Sequence, residues 1–287
     1  MSNIFKTTLL LTVMTLLLML AGRAFGGQNG MLMALAFAAV MNFVAYFFSD
    51  KIALATYRAK PVSREDLPRV YNIVERLAQK VGLPTPKVYV IPTDSPNAFA
   101  TGRNPNHASV AVTQGILALL TDEELEGVLA HELGHVKNRD ILTSAVVATL
   151  AGAITLIGRM LFYAEMFGGF GGGGGRGNDR RGGALSMLAM MILAPLAATL
   201  IQLAISRSRE YEADATGARI TGNPQGLARA LDKIDKWSKR IPMDVAPSMA
   251  HLYILQPLTS GAIFSSLFST HPPIRKRIER LIGRDFV

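Results

Sequence analysis

Two histidines and a glutamate occur within five residues of this chain, in the segment HELGH at 131–135. On a helix, His131 and His135 lie on one face a turn apart, where one metal ion can bind both imidazoles. Glu132 lies about 100° further around the helix, so its carboxylate can reach a water on that ion without binding the ion. The pattern predicts one Zn²⁺ per chain, with Glu132 as the general base. Taken alone, the pattern also fits a pair of solvated helix histidines.

A catalytic zinc site has three protein ligands and an open position, so a third ligand is expected elsewhere. Longer histidine motifs are excluded, because Asn138 and Ile141 stand where such a motif needs Gly and His. The segment SRSREYEADA offers Glu210 and Asp214, four residues apart and therefore on one helix face. One carboxylate can bind the metal, and the other can accept the second ring N–H of a ligating histidine. Glu212 is expected to face elsewhere, about 200° from Glu210.

The segments around HELGH predict a small domain of helices and strands. Thr121 and Glu124 form a capping box, which predicts a helix from near Asp122 through His135. The segments KVYVIP and HASVAVT predict short strands with NAFATG between them, so a small sheet precedes this helix.

Further helices are predicted on both sides of these elements. Ser63 as an N-cap and Gly82 as a stop bound a surface helix upstream. Downstream, a polar helix carries Glu210, and an amphipathic helix follows from about Pro224 to Arg240.

The chain is unusually apolar, since 49% of its 287 residues are hydrophobic and only 18% are charged. Four long stretches contain no Asp, Glu, Lys or Arg, at residues 7–22, 24–49, 141–158 and 182–206. About 20 apolar residues cross a hydrocarbon core of about 30 Å, and the first stretch reaches this length if Lys6 extends to the interface. We therefore predict four transmembrane helices. A cleaved signal peptide is the alternative for the first stretch.

Basic residues flank these stretches mainly on one side, which predicts that both termini and segment 50–140 are cytoplasmic. Arg176, Arg180 and Arg181 lie in the loop assigned outside, against this bias. The net charge of +9 comes from scattered residues without a nucleic-acid-binding pattern, so no nucleic-acid partner is expected. With no cysteine, the chain has no disulfide or thiolate site.

Several motifs together resemble those of one family. HELGH followed by Glu-x-x-Ala-Asp after a membrane hairpin, with NAFATG upstream and STHPP downstream, resembles the HtpX family of bacterial membrane zinc endopeptidases, distant relatives of the type I CAAX prenyl proteases and of the gluzincins. The resemblance covers essentially the whole chain. It implies zinc bound by His131, His135 and Glu210, catalysis by Glu132, and turnover of damaged proteins in the inner membrane.

Two further segments are candidates for substrate and transition-state contacts. The prolines after His271 restrict its backbone, and the resemblance favours this residue as an oxyanion partner; the alternative is a loop histidine at a helix entry. Asn97, Ala98 and Phe99 in NAFATG are predicted to form an edge strand to which an extended substrate adds, and the alternative is an ordinary hairpin strand. The glycine-rich stretch 168–183 is predicted to be a flexible linker.

The predicted fold is α+β, mostly α, with four transmembrane helices and a cytoplasmic gluzincin-like zinc protease domain. Its parts are spans one and two (1–49), the sheet and HELGH helix (50–140), spans three and four (141–206) and the part with the third ligand (207–287).

We predict a membrane endopeptidase of the bacterial inner membrane that cleaves damaged or misfolded membrane proteins at the cytoplasmic face. Its partners are membrane-protein or unfolded polypeptide substrates and the lipid bilayer, and the sequence indicates no oligomeric state. The alternative is a non-catalytic zinc-binding scaffold or sensor. Glu132 argues against it, because a purely structural tetrahedral site does not need this residue.

Overall fold

The described part of the chain begins with a long helical hairpin. The computed structural model describes residues 3–147, 149–150, 154, 207–238 and 272–283. Helix α1, Asn3–Thr56, is interrupted only at Gly27, which has a φ of 60°. The chain stays helical up to this one glycine and directly after it, so the break falls within the apolar stretch at 24–49. A Cβ on Gly22 would lie 2.4 Å from the carbonyl oxygen of Gly30, so the two halves approach more closely than a larger residue allows.

The two halves of α1 differ in length. Gly27–Thr56 is long and apolar enough to cross a membrane, and Thr7–Leu20 is a shorter apolar helix. Val146 and Val147, at the start of the third predicted span, are buried against Leu10 and Ala45 of α1. The remainder of this span, apart from residues 149–150 and 154, and all of the fourth lie outside the described residues.

A four-stranded mixed sheet follows the hairpin. Its strands are β1 (Lys60–Pro61), β2 (Lys87–Ile91), β3 (Ala98–Gly102) and β4 (Ala108–Thr113). Their order in the sheet is β1-β2-β4-β3, with β2 and β4 parallel and the other two pairings antiparallel. The segment NAFATG thus supplies an edge strand, β3.

The other described helices are α2 (Pro68–Lys80), α3 (Gln114–Leu119), α4 (Asp122–Lys137), α5 (Arg207–Thr221), α6 (Pro224–Ser238) and α7 (Ile274–Ile282), with a short 3-10 helix at Pro105–His107. Helix α2 starts later than predicted. Ser63 and Asp66 close a turn of their own, since each backbone N–H donates to the other residue's side chain. The helix then begins at Pro68, whose ring is compatible with a first turn.

Helix α4 lies at the centre of the domain that follows the hairpin. It packs against α2, α5, α6 and β3. The predicted capping box at its start is present, because Thr121 and Glu124 each accept the other's backbone N–H. Leu125, Leu129 and Leu133 are fully buried and pack one face of α4 into the core. Another face of the same helix carries His131 and His135.

Candidate active site

Helices α4 and α5 bring together three side chains that could bind one metal ion. One ligand atom each from His131, His135 and Glu210 lie within 4.8 Å of one another. The Glu210 carboxylate is 3.5 Å from Nε2 of His135 and 3.8 Å from Nε2 of His131. Two ligands about 2.1 Å from a tetrahedral zinc are separated by about 3.4 Å, so these distances fit a single ion. Both imidazoles direct Nε2 at the carboxylate, which leaves each Nδ1 for another partner.

The partners of His131 form what we call the His131 arm: His131, Asp214 and Arg277. Nδ1 of His131 lies 2.9 Å from Oδ1 of Asp214. Arg277 donates from Nε and Nη2 to the two Asp214 oxygens at 2.8 and 2.7 Å. Burial alone would raise the pKa of Asp214, but the charge and hydrogen bonds of Arg277 lower it. Asp214 is therefore an anion that fixes the ring of His131.

The partners of His135 form a second set, the His135 arm: His135, Asp140 and Arg209. Nδ1 of His135 lies 3.2 Å from Oδ2 of Asp140, and Oδ1 of Asp140 lies 3.5 Å from Nη1 of Arg209. Burial opposes the charged imidazole, but the Asp140 hydrogen bond and the carboxylates of Glu210 and Glu132 raise the pKa of His135 to about 9.

Glu132 is buried beside the three candidate ligands. Its Oε2 accepts a hydrogen bond of 2.9 Å from the backbone N–H of Ala100 in β3. Its pKa is raised because burial disfavours the charged carboxylate, and the neighbouring histidines oppose this shift. A carboxylate whose pKa is raised accepts a proton more readily, as a general base requires.

Close helix packing allows Glu210 to reach the histidines. A Cβ on Gly217 would lie 3.0 Å from the backbone nitrogen of His131, so a side chain at this position would push α5 away from α4. Gly134, within HELGH, faces Ala213 of α5 in the same way. Glu212 is exposed, as the helix geometry predicts.

The other predicted site residues are placed differently. Ala98 and Phe99 lie in β3, Asn97 precedes it, and all three are buried. The Thr113 N–H donates to the Asn97 carbonyl, and the Asn97 N–H donates to the Thr113 hydroxyl. Because backbone groups alternate in direction along an antiparallel strand, those of Ala98 and Ala100 face away from β4. His271 lies outside the described residues.

Sequence reasoning missed Arg277, Asp140 and Arg209. One signal for Arg277 was present, because this arginine falls on the apolar face of α7 with Ile274, Ile278 and Leu281. A charged residue on such a face needs a buried partner.

Known proteins resemble this chain over nearly its full length. The model for peptidase family M48 matches residues 63–285. A protein named protease HtpX homolog from Desulfatibacillum aliphaticivorans is 55% identical, over 99% of this chain and 90% of the relative. Another of the same name from Thermococcus sibiricus is 51% identical, over 96% of this chain and 94% of the relative. The crystal structure of S. mikatae Ste24p aligns with a TM-score of 0.54 at 23% identity. That match covers 98% of this chain and 65% of Ste24p, and it shows a shared fold.

A helix-borne HExxH motif that meets a glutamate from a second helix defines a metallopeptidase site. The chain belongs to peptidase family M48. The predicted class, a membrane-bound metalloprotease resembling the HtpX family, is confirmed.

Proposed function

We propose that this chain is a zinc-dependent endopeptidase that cleaves damaged or misfolded membrane proteins at the cytoplasmic face of the inner membrane. The observation that carries the proposal is the convergence of His131, His135 and Glu210 beside the buried carboxylate of Glu132. Two imidazoles and one carboxylate are a donor set that zinc uses in catalytic sites, where a fourth position stays open.

Zinc at this position would lower the pKa of a bound water and polarise the scissile carbonyl. The chain supplies the proton transfer. Glu132 is close to the candidate ligands but is not one of them, so its carboxylate can take a proton from the attacking water and return it to the leaving amine. The Ala100 N–H holds one carboxylate oxygen and leaves the other for this work.

The decisive variant is Glu132→Gln, since glutamine keeps the shape of the side chain and cannot take the proton. We expect zinc content to be unchanged and cleavage of casein or an unfolded membrane protein to fall at least about 100-fold. Detergent-purified protein, assayed with and without a zinc chelator, provides the measurement. Normal turnover with zinc bound would exclude Glu132 as the base. Absence of cleavage by the zinc-loaded wild-type protein would favour the non-catalytic scaffold or sensor.

Substrate binding is proposed along β3, through backbone hydrogen bonds to an added strand at Ala98. The edge position of β3 and its contact with Glu132 support this. Because every residue of β3 is buried, the edge has to open before a substrate strand can pair. Ala98→Pro changes the backbone geometry here, and we expect a raised KM with zinc retained.

His271 is proposed as the oxyanion partner, on the resemblance of STHPP. It lies close in sequence to α7, which carries Arg277 into the site. His271→Gln should then lower kcat while KM and zinc content change little.

The orientation is proposed from the basic flanks of the apolar segments. Reporters fused after residue 60 and at the C-terminus should signal cytoplasm, and one inserted near residue 173 should signal the opposite side. A non-cytoplasmic signal at residue 60 would reverse the orientation.

A further inference from the structure

A cavity lies where the helical hairpin meets the protease domain, and none of the three candidate ligands lines it. Its volume is about 270 Å³. Pockets for drug-sized ligands measure roughly 300–1,000 Å³, so this one has room for a small group. We call it the Arg103–Arg139 cavity, and its lining residues are Thr7, Thr8, Tyr46, Arg103, Asn104, Arg139 and Leu142.

The described lining of this cavity carries two positive charges and no carboxylate. Arg103 contacts Nε2 of His107 and lies over the ring of Phe47, at 5.8 Å from its centroid. Arg139 makes no ion pair with a carboxylate of the described residues. The neighbouring Asp140 is already engaged by His135 and Arg209. Two guanidinium groups beside hydroxyl and amide groups are suited to a phosphate anion.

The backbone at Arg139 sets the position of its side chain. Arg139 has a φ of 59°, in the left-handed region that glycine or asparagine usually occupies after a helix. The chain turns at this residue directly after α4, and the Arg139 side chain lines the cavity from that turn.

The surroundings indicate where such a phosphate comes from. Thr7 and Tyr46 lie on the two halves of α1, at the same end of the hairpin, and Leu9 and Phe43 are 48% and 56% exposed further along it. These apolar side chains offer a surface for acyl chains, and tyrosine favours the membrane interface. A lipid whose chains lie along α1 would place its headgroup beside the cavity.

We propose that the Arg103–Arg139 cavity binds the phosphate of an anionic phospholipid at the membrane surface. This site is separate from the proposed zinc site, so lipid binding is tested by a measurement other than zinc content or peptidase rate.

The test uses full-length protein in detergent, titrated with short-chain phosphatidylglycerol and followed by native mass spectrometry. We expect one lipid per chain. Arg103→Gln combined with Arg139→Gln should weaken binding by at least about 10-fold, because charge-assisted hydrogen bonds to the phosphate are lost. Arg139→Gly provides a second variant that suits the backbone, since glycine adopts a positive φ freely.

The matched control is Lys51→Gln with Lys60→Gln, which removes the same charge from exposed positions outside the cavity. We expect it to retain binding within about twofold, because neither lysine lines the cavity. Equal weakening in both double variants, or none in either, would overturn the site. Displacement of the lipid by an equal concentration of inorganic phosphate would overturn the assignment to a phospholipid.

Discussion

The two histidines of the site are supported in parallel ways but at different depths. In the His131 arm, the side chains of His131, Asp214 and Arg277 are 2%, 4% and 0% exposed, and they come from three different helices. In the His135 arm, Asp140 follows its histidine by five residues and the imidazole is 16% exposed. The first arm therefore joins the candidate metal site to the core of the fold. The second combines a local turn, from His135 to Asp140, with Arg209 of α5, and its imidazole is the more exposed of the two.

This contrast predicts unequal costs for similar substitutions. Changes in the His131 arm should affect both folding and metal binding, because a buried charge loses its partner. Changes in the His135 arm should affect mainly metal binding, because its contacts are longer, at 3.2 and 3.5 Å, and its imidazole is partly exposed.

Glu210 lies against the histidines of both arms, so its substitution is expected to have the largest effect on the metal. Glu210→Gln replaces an anionic ligand with a poorer neutral one, and we expect zinc and peptidase activity to be lost together. Zinc per purified chain is the measurement. Glu212→Gln, exposed on the same helix, is the matched control and should be close to silent. A larger effect of the Glu212 change would mean that α5 presents a different face to the metal.

Arg277→Met comes next, since it leaves Asp214 buried and charged without its guanidinium. We expect the protein to be destabilised by about 3 to 5 kcal/mol. Thermal unfolding of the metal-free protein in detergent measures the change without a contribution from zinc. The double variant Arg277→Met with Asp214→Asn should be less destabilised than the sum of the two single variants. Strict additivity would show that the pair does not interact as its geometry indicates.

Asp214→Asn keeps the three candidate ligands but weakens the orientation of His131. Loss of such a supporting carboxylate typically costs about 10 to 100-fold in metal affinity or activity. Competition with a chelator of known zinc affinity gives the factor. An effect equal to that of Glu210→Gln would indicate that Asp214 is itself a ligand.

Asp140→Asn should have the smallest effect of the four. Its bond to His135 is longer, at 3.2 Å against 2.9 Å in the other arm, and the ring is partly solvated. We expect a loss of zinc affinity no greater than about 10-fold, at the low end for such residues. The same chelator assay compares the two arms directly, and a larger loss than for Asp214→Asn would reverse their ranking.

The sequence predicted the features that depend on short spacings. HELGH, the capping box of α4 and the strands β2 and β4 each follow from residues within one helix turn or one strand. The Glu210–Asp214 pair was also accessible, because four residues separate them on one helix. The spacing alone did not show which of Glu210 and Asp214 binds the metal and which accepts a histidine N–H, and the family resemblance favoured Glu210 as the ligand. In the structure, Asp214 lies at Nδ1 of His131.

The features that were missed depend on tertiary contacts. The approach of Arg277 to Asp214 joins residues 63 positions apart, and no local periodicity specifies that distance. The sequence did not locate the reversal at Gly27, because it depends on contact between residues of two helices. In the structure, close contact between Gly22 and Gly30 allows two helices to meet with one non-helical residue.

The hydrogen bond from Ala100 to Glu132 has a consequence for how this site tolerates sequence change. Its donor belongs to the main chain, so nineteen of the twenty amino acids can supply it, and only proline lacks the group. The side chains of β3 are buried, so substitutions along this strand are limited by core packing and not by the hydrogen bond to Glu132. The position of Glu132 therefore depends on the backbone path of β3 and not on which side chain stands at the donor position.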